Sequence, residues 1–178
     1  MIKEIRWHGR GGQGSFTGAK LLGVAASIHD DRFAQAFPSF GPERRGAPVL
    51  GFNRISDEKI TDRSEIDKCD YIIFLDETLW NDNYLNDLKK DALVIINSDK
   101  SYSIDKRIRT IDATGMALEI LEMPIANTAM LGYLAAISNN VVTYQACEKA
   151  MKSTLKPSII DKNLKLLKAA YVMGKETA

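Results

Sequence analysis

Cysteine and histidine are scarce in this sequence, which has two of each among 178 residues. Cys69 and Cys147 lie far apart and form no C-x-x-C. With only His8 and His29 beside them, the spacings give no four-ligand zinc site and no iron–sulfur site. Two such separated cysteines are expected as small buried apolar residues rather than as a disulfide. An excess of charge of one sign is also absent. Lys and Arg number 24 against 23 Asp and Glu, a formal net charge of +1. The cations are spread along the chain, so no basic stripe marks a nucleic-acid or anionic-membrane partner. No apolar run approaches the roughly 18 residues of a membrane span. The start, Met1-Ile2-Lys3-Glu4-Ile5-Arg6, carries charges where a secretory signal needs its apolar segment, and the expected location is the cytoplasm. Repeats, low-complexity tracts and linker composition are missing too. With 45% hydrophobic and 26% charged residues, the expectation is one globular domain, 1–178, with a sizeable core.

What is present is concentrated in two stretches. The first is His8-Gly9-Arg10-Gly11-Gly12-Gln13-Gly14, preceded by the alternating run Ile2 to Trp7 and followed by Phe16 to Ile28 with apolar residues at helical spacing. Strand, glycine loop and helix follow one another, and Gly9, Gly11 and Gly14 satisfy G-x-G-x-x-G. That pattern lets backbone amides and a helix N-terminus approach an anion closely. A dinucleotide site would also need a carboxylate ending the second strand about 20 residues further on. Asp30 and Asp31 come too early for it, so the sequence supports a phosphate cradle and not a nicotinamide site.

The second stretch, Arg32 to Pro48, holds three prolines (Pro38, Pro42, Pro48) and two glycines (Gly41, Gly46), which exclude a long helix and predict a rigid, turn-rich loop. Phe33, Phe37 and Phe40 stand beside Glu43-Arg44-Arg45. Aromatics next to arginine suit an interface or an anion pocket, since the guanidinium pairs bidentately with carboxylate or phosphate. A solvated turn whose phenylalanines plug the core is the plainer reading.

Together these stretches carry a family resemblance. His8 to Gly14, Ala34-Gln35-Ala36-Phe37-Pro38 and Phe40-Gly41-Pro42-Glu43-Arg44-Arg45-Gly46-Ala47-Pro48-Val49 resemble the gamma subunit of pyruvate:ferredoxin oxidoreductase. More broadly they resemble the gamma domain of 2-oxoacid:acceptor oxidoreductases. The likeness continues through Gly51 to Ser56 and resumes at Asn127-Thr128-Ala129-Met130-Leu131-Gly132, so it spans most of the chain. The Glu-Arg-Arg-Gly-Ala-Pro form is closer to pyruvate-type members than to 2-oxoglutarate-type ones.

The remaining segments read as scaffold. Val49 to Ile55, Asp70 to Asp76, Asp91 to Asn97 and Arg107 to Asp112 are predicted strands, and Leu79 to Lys90 a helix between two of them. Met116 to Leu121, Thr128 to Ile137, Tyr144 to Leu155 and Ile159 to Gly174 are predicted helices, the last with Pro157 in its first turn and Gly174 as its stop. The fold class expected is α/β, a Rossmann-like three-layer domain with a mainly parallel sheet and helices on both faces. Two readings stand for several residues. Asp76 and Glu77 end a strand, as a catalytic pair or, more commonly, as helix caps. The same choice applies to Asn97, Ser98 and Asp99. His8 is an acid or base, or a packed ring. Asn127 caps its helix or reaches a ligand.

The resemblance implies a complex that oxidatively decarboxylates a 2-oxoacid, most simply pyruvate, with coenzyme A to acyl-CoA and carbon dioxide, reducing ferredoxin. It implies alpha, beta and delta partner subunits, with thiamine diphosphate and Mg²⁺ on alpha and beta and [4Fe–4S] clusters on beta and delta. This chain is then expected to hold none of those cofactors and no catalytic residue or metal ligand, and to be inactive alone. Its expected task is to help bind coenzyme A and assemble the complex. Arg10, Gly11, Gly12, Gln13, Gly14, Arg44, Arg45 and Asn127 are the residues expected to meet the coenzyme or a neighbouring subunit. The alternatives are a gamma subunit for 2-oxoglutarate, branched-chain or aryl oxoacids, a free-standing NAD(P)-binding protein, or an adaptor without a ligand.

Overall fold

The structure is a computed structural model that describes residues 1–39, 46–138 and 140–177. Six strands form one sheet: β1 (Lys3–Arg10), β2 (Phe33–Pro38), β3 (Pro48–Ser56), β4 (Cys69–Phe74), β5 (Leu88–Asn97) and β6 (Ile108–Ile111). The helices are α1 (Ser15–Val24), α2 (Ala113–Leu121), α3 (Asn127–Ile137), α4 (Tyr144–Thr154) and α5 (Pro157–Thr177). Strand order is β2-β3-β1-β4-β5-β6. β1, β4, β5 and β6 run parallel, and on the far side of β1 the strand β3 pairs antiparallel with it and β2 antiparallel with β3. The carboxyl ends of the four parallel strands therefore open onto one edge, which is where α/β sheets bind ligands. The expected α/β class with a mainly parallel sheet is what the chain forms.

Alternation in the strands divides the core. Ile5, Trp7, Ile55, Tyr71, Ile73 and Ile95 face the α-helices. Phe52, Ile72, Phe74, Val94 and Ile96 face the other way. The two faces are covered by different kinds of helix. On the second face the cover is two short 3-10 turns, Glu77–Leu79 and Asp82–Asp87, whose neighbourhood supplies Leu79, Trp80, Tyr84 and Leu85. α3 is buried from Asn127 to Ala136, as an all-round apolar helix must be.

Three expectations need correction. Leu79 to Lys90 is not a helix. Its Asn81 side chain accepts the Asn83 N–H and caps a 3-10 turn, and β5 already begins at Leu88. The early start is accommodated by a register shift between Cys69 and Tyr71 and by Asp91 at φ +63°. Arg32 to Pro48 is not all loop, since Phe33–Pro38 is an edge strand, where a terminal proline removes no needed donor. Phe40 to Arg45 lie outside the described residues. Gly174 does not end α5, which continues to Thr177.

Both cysteines are free and buried, as expected. A charged cluster seals one end of the sheet. Arg54, 1% exposed, donates to Glu4 at 2.9 Å and to the Ser64 carbonyl at 2.8 Å. Lys89 bridges Glu4 at 2.8 Å and Asp70 at 2.9 Å. Burial disfavours ionised Asp70, but bonds from Lys89, the Glu4 N–H and Lys3 outweigh it and hold the carboxyl below its ordinary range. At the far end of α1 the backbone widens into a π turn, Ala25–His29. Asp30 beyond it accepts from the N–H and hydroxyl of Thr143, the residue that caps α4.

Candidate functional site

β1 carries the glycine loop to the carboxyl edge of the sheet. Gly14 caps α1 at φ +81° and contributes no side-chain acceptor to the helix. The positive φ is what favours glycine at Gly14, and a Cβ there would also lie 2.5 Å from Asn127 Nδ2 and make that side chain shift. Gly11 N–H donates to the Ala47 carbonyl at 2.9 Å and Gln13 N–H to the Arg10 carbonyl at 3.0 Å. The N–H groups of Gly12, Gly14, Ser15, Phe16 and Thr17 have no acceptor among the described residues. A loop running into a helix with its first amides free carries the partial positive charge that favours an anion.

Asp76 straps this loop to the end of β4. Its Oδ2 accepts from Arg10 Nε at 3.0 Å and from Gln13 Nε2 at 3.0 Å, while Oδ1 accepts from the Thr78 N–H at 3.0 Å and the Thr78 hydroxyl at 2.6 Å. Gln13 turns back to accept the Arg10 N–H at 2.7 Å. Arg10 also donates to Thr78 Oγ1 at 2.8 Å and to the Gly46 carbonyl at 3.2 Å. Partial burial disfavours the Asp76 carboxylate, but bonds from Thr78 and Gln13 and the charge of Arg10 prevail, and its pKa lies below the ordinary value.

Gln13 separates two pockets. On one side a crevice of about 330 Å³ at the ends of β4, β5 and β6 is lined by Asp76, Glu77, Asp99 and Asp112. Glu77 there takes bonds from Ser98, Lys100 and Tyr102, which keep it ionised. On the other side a pocket of about 280 Å³ brings Gly12, Gly14, Thr17 and Asn127 against Met123, Ile125 and Ile159. Those three apolar side chains are 46%, 37% and 39% exposed. The crevice is lined by carboxylates and disfavours an anion, whereas the pocket is lined by Gly12, Gly14 and Thr17, whose N–H groups have no acceptor among the described residues, beside an apolar wall.

The family model for pyruvate ferredoxin/flavodoxin oxidoreductase matches residues 4–173. The chain belongs to that family. It is 48% identical over 170 residues to the pyruvate synthase subunit PorC of Methanocaldococcus jannaschii, with 94% of each chain covered. It is 40% identical over 177 residues to the common gamma subunit of the pyruvate and ketoisovalerate oxidoreductases of Thermococcus kodakarensis, covering 94% of this chain and 95% of the relative. The crystal structure of the pyruvate oxidoreductase subunit PORC of Thermotoga maritima superimposes with a TM-score of 0.83 at 34% identity, covering 96% of each chain. It is a gamma-type member of the pyruvate ferredoxin/flavodoxin oxidoreductase family.

Of the residues that the sequence of this family member singles out, Arg10, Gly11, Gly12, Gln13, Gly14 and Asn127 come together. Arg44 and Arg45 lie outside the described residues. Asn127 does not cap α3, whose N-cap is Ala126. Its Nδ2 donates to the Gly14 carbonyl at 3.4 Å instead. Asp76 caps a turn, as expected of an acid there, and its hold on Arg10 and Gln13 spans too much sequence to be read locally. The pocket also takes in Thr17 and Ile159, which carry no sequence signal, and Met123 and Ile125, whose one signal is a pair of large apolar residues flanking Pro124.

His8 is a packed ring. It is 4% exposed, stacks on Phe74 at 4.4 Å and meets the Tyr84 edge at 4.7 Å, and its Nε2 has no partner. Burial, and then the charge of Arg6, push its pKa from 6.5 down to about 3. The unfolded chain takes up this proton near pH 6.5 and the folded chain does not until about pH 3. Stability present above pH 6.5 is therefore lost as pH falls towards 3, by about 2 kcal/mol between pH 7 and pH 5. Urea unfolding at those two pH values is expected to give that loss for the wild type and a loss smaller by the same amount for His8→Phe. Equal losses would show that His8 is not the group responsible.

Proposed function

We propose that this gamma subunit serves a pyruvate-type complex, in which pyruvate and coenzyme A give acetyl-CoA and carbon dioxide and two electrons pass to ferredoxin. Its own part is to hold an anionic group of coenzyme A on the free amides of Gly12, Gly14 and the first turn of α1, with the apolar wall of Met123, Ile125 and Ile159 beside it. The observation that carries this reading is the position of those amides between an acidic crevice and an apolar pocket. Gln13 and Asn127 border the coenzyme site, and Arg10 braces it. Arg44 and Arg45, from the sequence alone, are assigned to the coenzyme phosphates or to a partner subunit. Gly11, its amide used by Ala47, shapes the loop.

Thiamine diphosphate with Mg²⁺ and the [4Fe–4S] clusters are assigned to alpha, beta and delta subunits in the cytoplasm. Bound there, they supply the decarboxylation and electron-transfer chemistry. Among the described residues no three His, Cys, Asp or Glu side chains converge as a metal site, and no step is assigned to such a group on this chain. No described helix is long and apolar enough to cross a membrane. That one gamma chain is named as common to pyruvate and ketoisovalerate enzymes in Thermococcus kodakarensis supports oxoacid selection on another subunit. The nicotinamide alternative is disfavoured by four carboxylates lining the crevice where a dinucleotide would sit.

Thr17→Glu tests the reading. A glutamate in the first turn suits the helix dipole, so folding is preserved, yet its charge occupies the anion's place. In the assembled complex the KM for coenzyme A is expected to rise about tenfold, the worth of one charge-assisted contact, with the KM for pyruvate unchanged. An unchanged KM for coenzyme A would overturn the coenzyme site.

A further inference from the structure

We propose that Asp76 is a positioning residue for the coenzyme step. It touches neither ligand nor pocket amides, and it holds the glycine loop in the conformation that presents them. The inference rests on the coenzyme reading above and adds to it the residue that sets the loop.

Three observations lead there. First, one carboxylate oxygen of Asp76 takes both side-chain donors of the loop, Arg10 Nε and Gln13 Nε2, each at 3.0 Å. Second, the other oxygen accepts the N–H and hydroxyl of Thr78 and so caps the 3-10 turn Glu77–Leu79, which holds the carboxylate in place two residues past the end of β4. Third, Gln13 closes a ring through the Arg10 N–H at 2.7 Å, which fixes the backbone immediately before Gly12 and Gly14. The same carboxylate neutralises Arg10, and Thr78 and Gly46 take one donor from each of its two terminal nitrogens, so all three nitrogens are tied to the loop's surroundings. Arg10 therefore works as a brace. The anion is left to the backbone amides, whose direction depends on the strap and not on a mobile cation. A displacement of about 1 Å in such a cradle is enough to weaken it by one to two orders of magnitude.

Asp76→Asn isolates the effect. The amide keeps the shape and the Thr78 bonds, but an NH₂ now faces two donors where an oxygen accepted both. In the assembled complex the KM for coenzyme A is expected to rise about tenfold, for the lost charge-assisted bonds. The change should fall on that KM rather than on kcat or on the KM for pyruvate, and Asp76→Glu should recover part of it. Thr78→Val, which removes the hydroxyl that donates to Asp76 and accepts from Arg10 and which lies outside the coenzyme pocket, should give the same pattern and carries the test if Asp76→Asn does not assemble. A KM for coenzyme A that is unchanged or lowered in the assembled variants overturns the proposal. Thr17→Glu separates the two failures. If it raises the KM and the strap variants do not, only the role of Asp76 falls. If Thr17→Glu also leaves it unchanged, the coenzyme site falls first.

Discussion

Arg54→Ala is expected to destabilise the chain by about 3–5 kcal/mol, the range for removing one partner of a buried ion pair. The guanidinium is 1% exposed and joins β1, through Glu4, to the segment around Ser64 and Glu65, whose carbonyls accept from its Nη2. Without it Glu4 retains Lys89, but the carbonyls of the 64–65 segment lose their donor and the ring of Phe37 loses the cation above it. Lysine is no replacement, since one ammonium cannot reach the same spread of acceptors. Urea unfolding at constant pH measures the loss. Arg54→Met is expected to recover only part of it, because the apolar side chain refills the space while the carbonyls of Ser64 and Glu65 stay without their donor. A loss under about 1 kcal/mol for Arg54→Ala, the worth of an exposed pair, would show that burial adds nothing here.

Gly132→Val is expected to cost about 3 kcal/mol, at the upper end for overpacking. In α3 a Cβ at this position would come within 2.4 Å of the Leu167 carbonyl oxygen of α5 and 3.3 Å of Ala170 Cβ. The obstruction is backbone, so a rotamer change cannot relieve it and the two helices must separate. α3 is buried on every side, so the separation spreads to the sheet. Gly132→Ala is expected to lose less, because alanine returns about 1 kcal/mol of helix propensity. Equilibrium unfolding of both variants against the wild type gives the values. A valine variant as stable as the wild type would mean that α5 can shift freely.

Much of this arrangement is legible in the sequence, and what is not has identifiable causes. Ile72 to Leu75 and Leu93 to Ile96 are continuous apolar runs that only a strand covered on both faces explains. Leu79, Trp80, Tyr84, Leu85 and Leu88 have helical spacing, but Asn81, Asp82, Asn83, Asn86 and Asp87 lie among them. Short polar side chains bond to nearby backbone and favour tight turns over an α-helix, and the chain follows them. Phe33 to Pro38 belongs to a stretch with three prolines, of which only Pro38 falls in the strand, and a composition rule does not distinguish an edge strand from a loop. The glycine loop could be placed from its spacing alone. Its strap could not, since Arg10 and Asp76 are 66 positions apart and meet only because β1 and β4 are neighbours.

The π turn at Ala25–His29 packs one residue more into its span than an α-helix would. In effect α1 carries an insertion just before Asp30. Winding the same residues as an ordinary α-helix would swing Asp30 by about 100° around the axis, away from Thr143 and the cap of α4, and only deleting one residue along with it would bring Asp30 back. Along this rod, which begins at the glycine loop, the count of residues is as much a part of the design as their identity.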